Sequence, residues 1–526
     1  MVKILIVTGR LAESMVRRAV AMSGTKHHVD IIVTPIPIAA FLTTEYVASY
    51  LNSTGVRVRD YDYILLPGLC MGSGRVIEDR LGVKAIKGTV HAYDLIELLK
   101  LEDLSILSPD TSADEILQNL FEEGAKRILM DLEAGLNNSN SFLIGGLRVA
   151  FNPPPMRIIS EITEVHNMPL ERLIEEVSRI IDCGGDVVSL GFEAYNPHSD
   201  IVERVVKSLK REFDIPIAID TTIPSEIDVA IASGADMIVN VDLTNIDKIN
   251  HVDRNVAVVT TPRNPISGDI PSDVDVRIKL LNRAVEAIRK RGFEKIFADA
   301  VLEPYGSIFK SLLAFHNFKT IHPEIPMFMG VGNVTELTDV DSVGVNALLT
   351  MLAHEIGVSM VLVVEKSVKA KGSTMEAKIA SQMASIAKIK NCPPKNLGIS
   401  LLILKDKRFY EFPVCGDIDE IVYAEGGEKY YTIDPFGTFN IRVNHKEKFI
   451  EALYNGRMKR ILIKGRSAKD IRREIVSRNL ISQISHAMYL GCELAKAEIA
   501  LQLGKSYIQE NPLFQTPKYI KLVKEP

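Results

Sequence analysis

Four polar residues stand at corresponding places in the middle of the chain, at or just beyond the ends of short apolar runs. Asp220 ends IPIAID, Asn240 lies in MIVNV, Asp299 lies in KIFADAV, and Asn333 follows PMFMGV. A carboxylate accepts two parallel N–H bonds from an amidine-like edge, and an asparagine amide offers one donor and one acceptor. Such a set suits a flat, nitrogen-rich ring such as a pterin.

The apolar runs that precede these residues belong to a longer series. From Met156 to about Lys390 we count eight strand-then-helix units, with strands near RIISEIT, DVVSLGF, IPIAID, MIVNV, VAVVTT, KIFADAV, PMFMGV and SMVLVVE. This number and spacing predict a (β/α)₈ barrel, whose working residues lie at the carboxyl ends of the strands. The four polar residues then lie at the ends of the third, fourth, sixth and seventh strands. They form one arc of the rim, to which only the fifth strand contributes no such residue.

An alternative role exists for each of the four residues. Asp and Asn are common at strand ends as turn formers and helix caps. A single such residue would be a poor indication of a site. Four of them on one rim favour a binding site for the ring.

The flanking sequences predict two further domains. Residues 2–99 alternate strand and helix, which is typical of an open α/β domain. After the prolines at 393 and 394 come antiparallel-looking strands, ISLLILK, YYTIDPFGTFNIRV and RILIKG, and two helices. We therefore predict an α/β protein with a Rossmann-like domain (1–140), the barrel (141–392) and a C-terminal α+β module (393–526).

Composition indicates a soluble protein of a reducing compartment. The formal charge is only −5, with 62 basic and 67 acidic residues, so no nucleic-acid partner is expected. The five cysteines are scattered and odd in number, which does not fit a disulfide framework. The N-terminus MVKILIVTGR reads as a strand rather than a signal peptide, and no membrane span is predicted. We expect a cytoplasmic location.

The run DTTIPSEIDVAIASGADMIVNVD resembles the strand 3 to strand 4 sequence of the pterin-binding barrels, which include dihydropteroate synthase and the methyltetrahydrofolate-type methyltransferases. The whole chain looks especially like archaeal proteins described as dihydropteroate synthase-related. The resemblance implies that Asp220, Asn240 and Asp299 hold the pterin edge. It also implies a reduced pterin of the tetrahydrofolate or tetrahydromethanopterin type as the small-molecule partner.

Two departures from the dihydropteroate synthase pattern concern the pyrophosphate leaving group. The first strand reads RIISEITEVHN instead of carrying an N-x-T-P-D-S-F loop, and GVGNVT replaces the S-R-K segment after the seventh strand. Loss of pyrophosphate needs cationic or metal stabilisation. Lys366 and Lys369 are either substitutes for the missing cations or solvated loop charges. We assign no metal ligands, and Mg²⁺ is expected only if the reaction is a condensation.

The segment GVGNV resembles the G-x-S-N-x-S element of the pterin methyltransferases instead, so Asn333 is the expected donor near N5 and, with Asp299, a catalytic residue. We favour a transferase of one-carbon metabolism that moves a methyl group from N5, either to a corrinoid on a partner protein or to another acceptor such as a thiolate. One alternative is condensation of a pterin-methyl diphosphate with an arylamine in methanopterin biosynthesis. Another is a non-catalytic protein that binds a pterin or recruits a partner. A homodimer is compatible with all three.

Overall fold

The computed structural model describes residues 1–406, 419–424 and 433–514. The chain divides into two compact units, Met1–Lys407 and Arg408–Pro526. The first unit contains both an open parallel sheet and a closed barrel. The three-domain division with boundaries at 140 and 392 stays a prediction.

A four-stranded parallel sheet begins the first unit, in the order β2-β1-β3-β4. Apolar clusters cover both of its faces, which explains why its strands read as nearly continuous apolar runs. The expected open α/β arrangement is confirmed. Its strands are β1 Lys3–Gly9, β2 His28–Thr34, β3 Tyr63–Leu66 and β4 Lys84–Lys87, and its helices are α1 Glu13–Ser23, α2 Thr44–Ser53, α3 Arg75–Leu81, α4 Leu95–Leu98, α5 Ala113–Ile116 and α6 Gln118–Ala134.

A β-hairpin, β5 Ser141–Ile144 and β6 Leu147–Ala150, joins the sheet to the barrel. Its two-residue turn needs positive φ at both positions, which Gly145 and Gly146 adopt at +50° and +91°. The buried side chains of Ile144 and Val149 belong to the apolar layer inside the barrel. We infer that the hairpin closes the amino-terminal end and leaves the opposite rim as the mouth.

The barrel is closed by eight parallel strands in chain order. All eight predicted strands are confirmed. They are β7 Arg157–Ile162, β8 Val187–Gly191, β9 Ile217–Asp220, β10 Met237–Val239, β11 Ala257–Thr260, β12 Lys295–Ala298, β13 Met327–Gly330 and β14 Val358–Val364.

Helices surround the barrel, but one predicted strand-then-helix unit is wrong. Between β10 and β11 the structure has only a 3₁₀ turn, Ile246–Lys248, because a side-chain network around Asp242 and Asn245 shapes this short connection. The surrounding helices are α7 Leu170–Asp182, α8 Ser199–Glu212, α9 Pro224–Ser233, α10 Val274–Arg291, α11 Ile308–Ile321, α12 Gly332–Thr335, α13 Ser342–Ile356 and α14 Ser373–Lys390.

The second unit packs two helices, α15 Ala468–Ser477 and α16 Ile484–Leu503, against an antiparallel sheet of β15 Gly437–Asn444, β16 Phe449–Gly456 and β17 Arg460–Gly465. RILIKG is confirmed as a strand. The strand within YYTIDPFGTFNIRV begins at Gly437, and residues 430–432 lie outside the described residues. The strand predicted for ISLLILK is wrong, because it forms no ladder and Leu402, Ile403 and Leu404 are exposed.

Across the described ranges of the chain, no helix is both long enough and apolar enough to cross a membrane. The cytoplasmic location stays a prediction.

Candidate active site

Three carboxylates occupy one inward-facing level at the mouth of the barrel: Glu161 on β7, Asp220 at the end of β9, and Asp299 directly after β12. Side chains on a strand alternate, so a residue two positions after an inward one also points inward. On each of these strands that preceding residue lies in the apolar layer inside the barrel, namely Ile159, Ala218 and Phe297. The carboxylates therefore lie directly above a layer of buried apolar side chains.

Asp220 and Asn240 are in direct contact. The Asn240 side-chain amide donates to Asp220 Oδ1 at 2.6 Å. Asn240 has φ of +71°, a left-handed conformation that turns the chain immediately after β10. The Asn245 amide holds this turn by donating to the carbonyls of Asn240, at 2.9 Å, and Thr222, at 3.2 Å. The third and fourth strands thus present a carboxylate and an amide as one unit.

Asp299 is fixed by the loop that follows it. Its Oδ1 accepts from the backbone N–H of Val301 at 2.7 Å, and Val301 has φ of +64°. Arg277 of α10, whose side chain is 1% exposed, donates to the carbonyls of Ala300 at 3.1 Å and Val301 at 3.0 Å, and it pairs with Glu303. Glu303 is therefore a partner of a buried arginine, and Arg277 positions the loop that holds Asp299.

Asn333 lies in the short helix α12, directly beyond β13. Its side-chain amide donates to the carbonyl of Leu302 at 3.0 Å, and the residue is exposed. Asn333 therefore connects the rim after the seventh strand to the loop after the sixth. The amide carries a second N–H, which this bond leaves available for a ligand.

Burial raises the pKa of all three carboxyl groups. The pKa of Glu161 rises to about 8, chiefly through burial and then through the charge of Asp220, while Lys366 opposes the rise. The pKa of Asp220 rises to about 6 through burial, against the hydrogen bond from Asn240. Burial raises the pKa of Asp299 to about 7, with the Val301 N–H opposing it and the charge of Asp220 adding to it. Near neutral pH the mouth therefore holds protonated carboxylic acid, a proton donor.

Glu161 was not predicted from the sequence, although RIISEIT contains the relevant signal. An acid in an otherwise apolar strand, at an inward position near its end, is a costly placement that calls for a reason. Glu161 also lies against the backbone of Gly191 on β8, where any Cβ would collide with its carboxylate. Beside it in the strand register is Ser189, whose buried hydroxyl has no hydrogen-bond partner in the described part of the chain.

Three basic residues that follow the fifth and eighth barrel strands are paired with acids. Lys366 contacts Glu164 at 2.7 Å, Lys369 contacts Asp339 at 3.1 Å, and Arg263 contacts the buried Asp242 at 3.1 Å. Lys366 and its partner are both mostly exposed, as expected for a solvated loop charge. In this arrangement both lysines are engaged by exposed acids.

Family comparisons cover all three parts of the chain. Residues 163–364 match the family described as pterin binding enzyme. Residues 2–89 match a family of unknown function, DUF6513, and residues 433–510 match PterinBD-DUF4346.

Similar solved structures include dihydropteroate synthases from two bacteria. The Yersinia pestis enzyme in a sulfonamide drug complex is 16% identical with a TM-score of 0.39, over 47% of this chain and 99% of that chain. The Coxiella burnetii enzyme in complex with pteroic acid is 20% identical with a TM-score of 0.36, over the same shares. No residue-level assignment follows from similarity at this level.

Sequence relatives extend over different lengths. A dihydropteroate synthase of Clostridium beijerinckii is 32% identical over 74 residues, which is 12% of this chain and 28% of that protein. An uncharacterized protein of Methanocaldococcus jannaschii is 35% identical over 526 residues, which is 97% of this chain and 99% of that protein. Residues 163–364 match the pterin binding enzyme family, and over nearly its whole length the chain belongs to the same family as the M. jannaschii protein.

Proposed function

We propose that this protein is a pterin-binding transferase that moves the methyl group from N5 of a methyl-tetrahydropterin to an acceptor nucleophile. The observation that carries the proposal is that three carboxyl groups lie side by side at the mouth. Burial raises the pKa of two of them, Asp299 and Glu161, to about 7 and 8. A pterin edge would lie against Asp220, Asn240 and Asp299. The pterin would be of the tetrahydromethanopterin or tetrahydrofolate type.

The proposed reaction breaks the N5–CH₃ bond and forms a bond between the methyl carbon and the acceptor. The electron pair of the broken bond stays on N5, which must receive a proton to become a neutral leaving amine. A carboxylic acid with a pKa near the working pH is well matched to this transfer. Glu161 and Asp299 are the candidate proton sources, and the second N–H of Asn333 is a candidate hydrogen-bond donor to the same region.

Condensation with loss of pyrophosphate is less well supported by the same surroundings. A departing diphosphate carries several negative charges and needs cations. Three carboxyl groups occupy the mouth, while Lys366, Lys369 and Arg263 are engaged by acids. We therefore rank methyl transfer above condensation of a pterin-methyl diphosphate with an arylamine.

Activity assays on the full chain separate the candidates. We expect demethylation of a methyl-tetrahydropterin in the presence of a thiol or of reduced cobalamin, which stands in for a corrinoid partner. Formation of a pteroate-type product from a pterin-methyl diphosphate and an arylamine would establish condensation instead. Pterin binding without turnover in any of these assays would indicate a non-catalytic role.

The pH dependence of methyl transfer gives a sharper test of the proton source. The value of kcat/KM, which reports the unliganded protein, should fall as pH rises through about 8, where Glu161 loses its proton. Glu161→Gln should lower the rate by roughly 10²- to 10⁴-fold, as expected for loss of a general acid, and should remove that fall. Glu164→Gln, which alters an exposed acid of the same segment, is the control and should leave the profile unchanged. If Glu161→Gln has the same pH profile as the wild type, Glu161 is not the proton donor, and Asp299 becomes the candidate.

A further inference from the structure

His166, Glu193 and His198 form a cluster at the rim above the first two barrel strands. One ring nitrogen of each histidine and one carboxylate oxygen of Glu193 all lie within 4.8 Å of one another. His198 Nε2 is 2.7 Å and His166 Nε2 is 3.9 Å from Glu193 Oε1. We propose that this His–Glu–His cluster is a binding site for a divalent transition metal of the Zn²⁺ class, with a coordination position left open toward the mouth.

The state of His166 is the observation that points to a ligand. Its side chain is only 8% exposed, and its Nδ1 has no hydrogen-bond partner among the described residues. Its Nε2 lies 3.0 Å from the Asn167 amide nitrogen, and the tautomer of the ring decides which of its two nitrogens is unprotonated and able to bind a metal. The ring stacks on that of His198 with centroids 4.5 Å apart. A buried imidazole with a partnerless nitrogen is costly unless a further partner binds the cluster.

Buried neighbours fix the backbone at both histidines of the cluster. The backbone N–H of His198 donates to Glu226 Oε1 at 2.6 Å, and Glu226 is fully buried on α9, where Thr221 holds its other oxygen. His166 lies in a 3₁₀ turn whose first residue, Val165, is fully buried. Ligand positions fixed in this way favour metal binding, because less order has to be created when the ion arrives.

The donor set selects the class of metal. Two imidazole nitrogens and one carboxylate oxygen are typical of zinc sites that keep a fourth position open, whereas Mg²⁺ prefers oxygen ligands. Zinc–ligand bonds of about 2.0 to 2.1 Å place tetrahedral donors roughly 3.3 Å apart. The distances from Glu193 Oε1, 2.7 Å to His198 Nε2 and 3.9 Å to His166 Nε2, lie on either side of this value. Because the two rings are stacked nearly parallel, at least one of them must turn for both to bind the same ion.

The cluster follows the strands that carry the carboxylates of the mouth, and this placement does not depend on the proposed reaction. His166 follows β7, which carries Glu161, and Glu193 follows β8, whose Gly191 lies beside Asp220 in the register. The open position therefore faces the same mouth. It would take an anionic donor atom of a second substrate, either a thiolate sulfur or a phosphate oxygen.

Metal binding is tested first on the full chain stripped with a chelator. Calorimetry with ZnCl₂ should give one site per chain, and MgCl₂ should bind far more weakly. His166→Gln and His198→Ala should each lower Zn²⁺ affinity by at least about 100-fold, more than the loss of an outer-shell partner costs. His251→Ala removes an exposed histidine outside the cluster and should leave affinity unchanged. Equal Zn²⁺ binding by all four proteins, or none by the wild type, would overturn the site.

A Co²⁺-loaded wild-type protein supplies a readout that does not depend on variants folding. Tetrahedral Co²⁺ with nitrogen and oxygen ligands should give visible d–d bands. Added thiol should produce a sulfur-to-cobalt band in the near ultraviolet, and inorganic diphosphate should shift only the d–d bands. Either response would support the open position and identify its donor. No change with either probe, or a spectrum of fully hydrated Co²⁺, would contradict the proposal.

Discussion

At the scale of single residues, the central feature is a group of three carboxyl groups that are largely shielded from solvent. Glu161, Asp220 and Asp299 stand directly above an apolar layer, and burial raises the pKa of each one. Because the charges repel, the site favours a state in which protons are shared among the three carboxyl groups. A pterin that offers N–H donors on its edge would stabilise the ionised groups and would lower these pKa values.

Asp220 and Asn240 could be predicted as a pair because each ends an apolar run. Glu161 could not, since its role depends on the closed barrel that brings the first strand beside the second and third. The pairing of Lys366 with Glu164 was equally hidden, because the two residues are far apart in the chain and meet only at the rim.

Glu161→Gln tests the electrostatics through stability. The carboxyl of Glu161 has an ordinary pKa of 4.5 and about 8 in the folded chain, so the folded state binds its proton more tightly. Its contribution to folding is complete below pH 4.5 and is lost as pH rises through about 8. Between pH 5 and pH 9 the wild type should lose on the order of 4 kcal/mol more stability than Glu161→Gln, as measured by urea unfolding. Parallel stability profiles would contradict the raised pKa.

At the scale of elements, the loop after β12 shows how a helix positions a site residue. Arg277 reaches from α10 to the carbonyls of Ala300 and Val301, and Val301 in turn holds Asp299. The sequence predicted the strand and the acid. It could not identify the arginine, which lies more than twenty residues earlier and looks like an ordinary helical charge.

Arg277→Met should therefore weaken the site indirectly, through the loop that holds Asp299. The substitution leaves the carbonyls of Ala300 and Val301 without their donor and the half-buried Glu303 without its partner, and it should cost about 2 to 4 kcal/mol of stability. Pterin affinity should fall as well, because the loop carrying Asp299 loses its anchor. Arg283→Met, on an exposed part of the same helix, is the control for thermal unfolding and calorimetry. Wild-type affinity in Arg277→Met would show that the loop holds Asp299 without the arginine.

The second unit has its own buried anchor in Asp434. Its carboxylate accepts from the Ser482 N–H at 2.8 Å, the Ser482 hydroxyl at 2.6 Å and His486 Nδ1 at 3.1 Å. Burial alone would raise the pKa of Asp434, but these bonds hold it well below the ordinary value of 3.8. Its contribution to stability is therefore present above that value and is lost only in stronger acid.

Asp434→Asn should destabilise this unit by about 2 to 4 kcal/mol, since an amide cannot accept all of these bonds. Hydrogen exchange of the α16 amides is the measurement, and exchange should become faster. Glu474→Gln removes only an exposed pair with Arg478 and should cost less than about 0.5 kcal/mol. Equal protection of α16 in the two variants would contradict the anchoring role of Asp434.

At the scale of the whole molecule, periodic apolar runs were sufficient to predict the parallel sheet and all eight barrel strands. Buried strands of this kind differ in composition from the segments around them. The errors lie where that contrast is weak. ISLLILK has a strand-like composition but pairs with nothing in the described chain, and β16, FIEALYNG, carries a buried glutamate and shows no obvious alternation of apolar and polar residues.

The match of residues 163–364 to pterin binding enzymes supports the proposal that a pterin lies in the barrel, and the three carboxyl groups at the mouth suggest the reaction. Both statements depend on the third and fourth strands forming the ring-binding edge. The proposed chemistry of the whole molecule is therefore tested by whether a reduced pterin binds at Asp220.

The most direct measurement is calorimetry of methyl-tetrahydrofolate, methyl-tetrahydromethanopterin and a pterin-methyl diphosphate with the wild type, Asp220→Asn and the exposed control Asp275→Asn. We predict that the wild type and Asp275→Asn bind a methyl-tetrahydropterin with equal affinity, and that Asp220→Asn weakens binding at least about 10- to 100-fold through loss of a charge-assisted bond. Binding of every pterin by Asp220→Asn as tightly as by the wild type, or of none by any of the three proteins, would contradict the account.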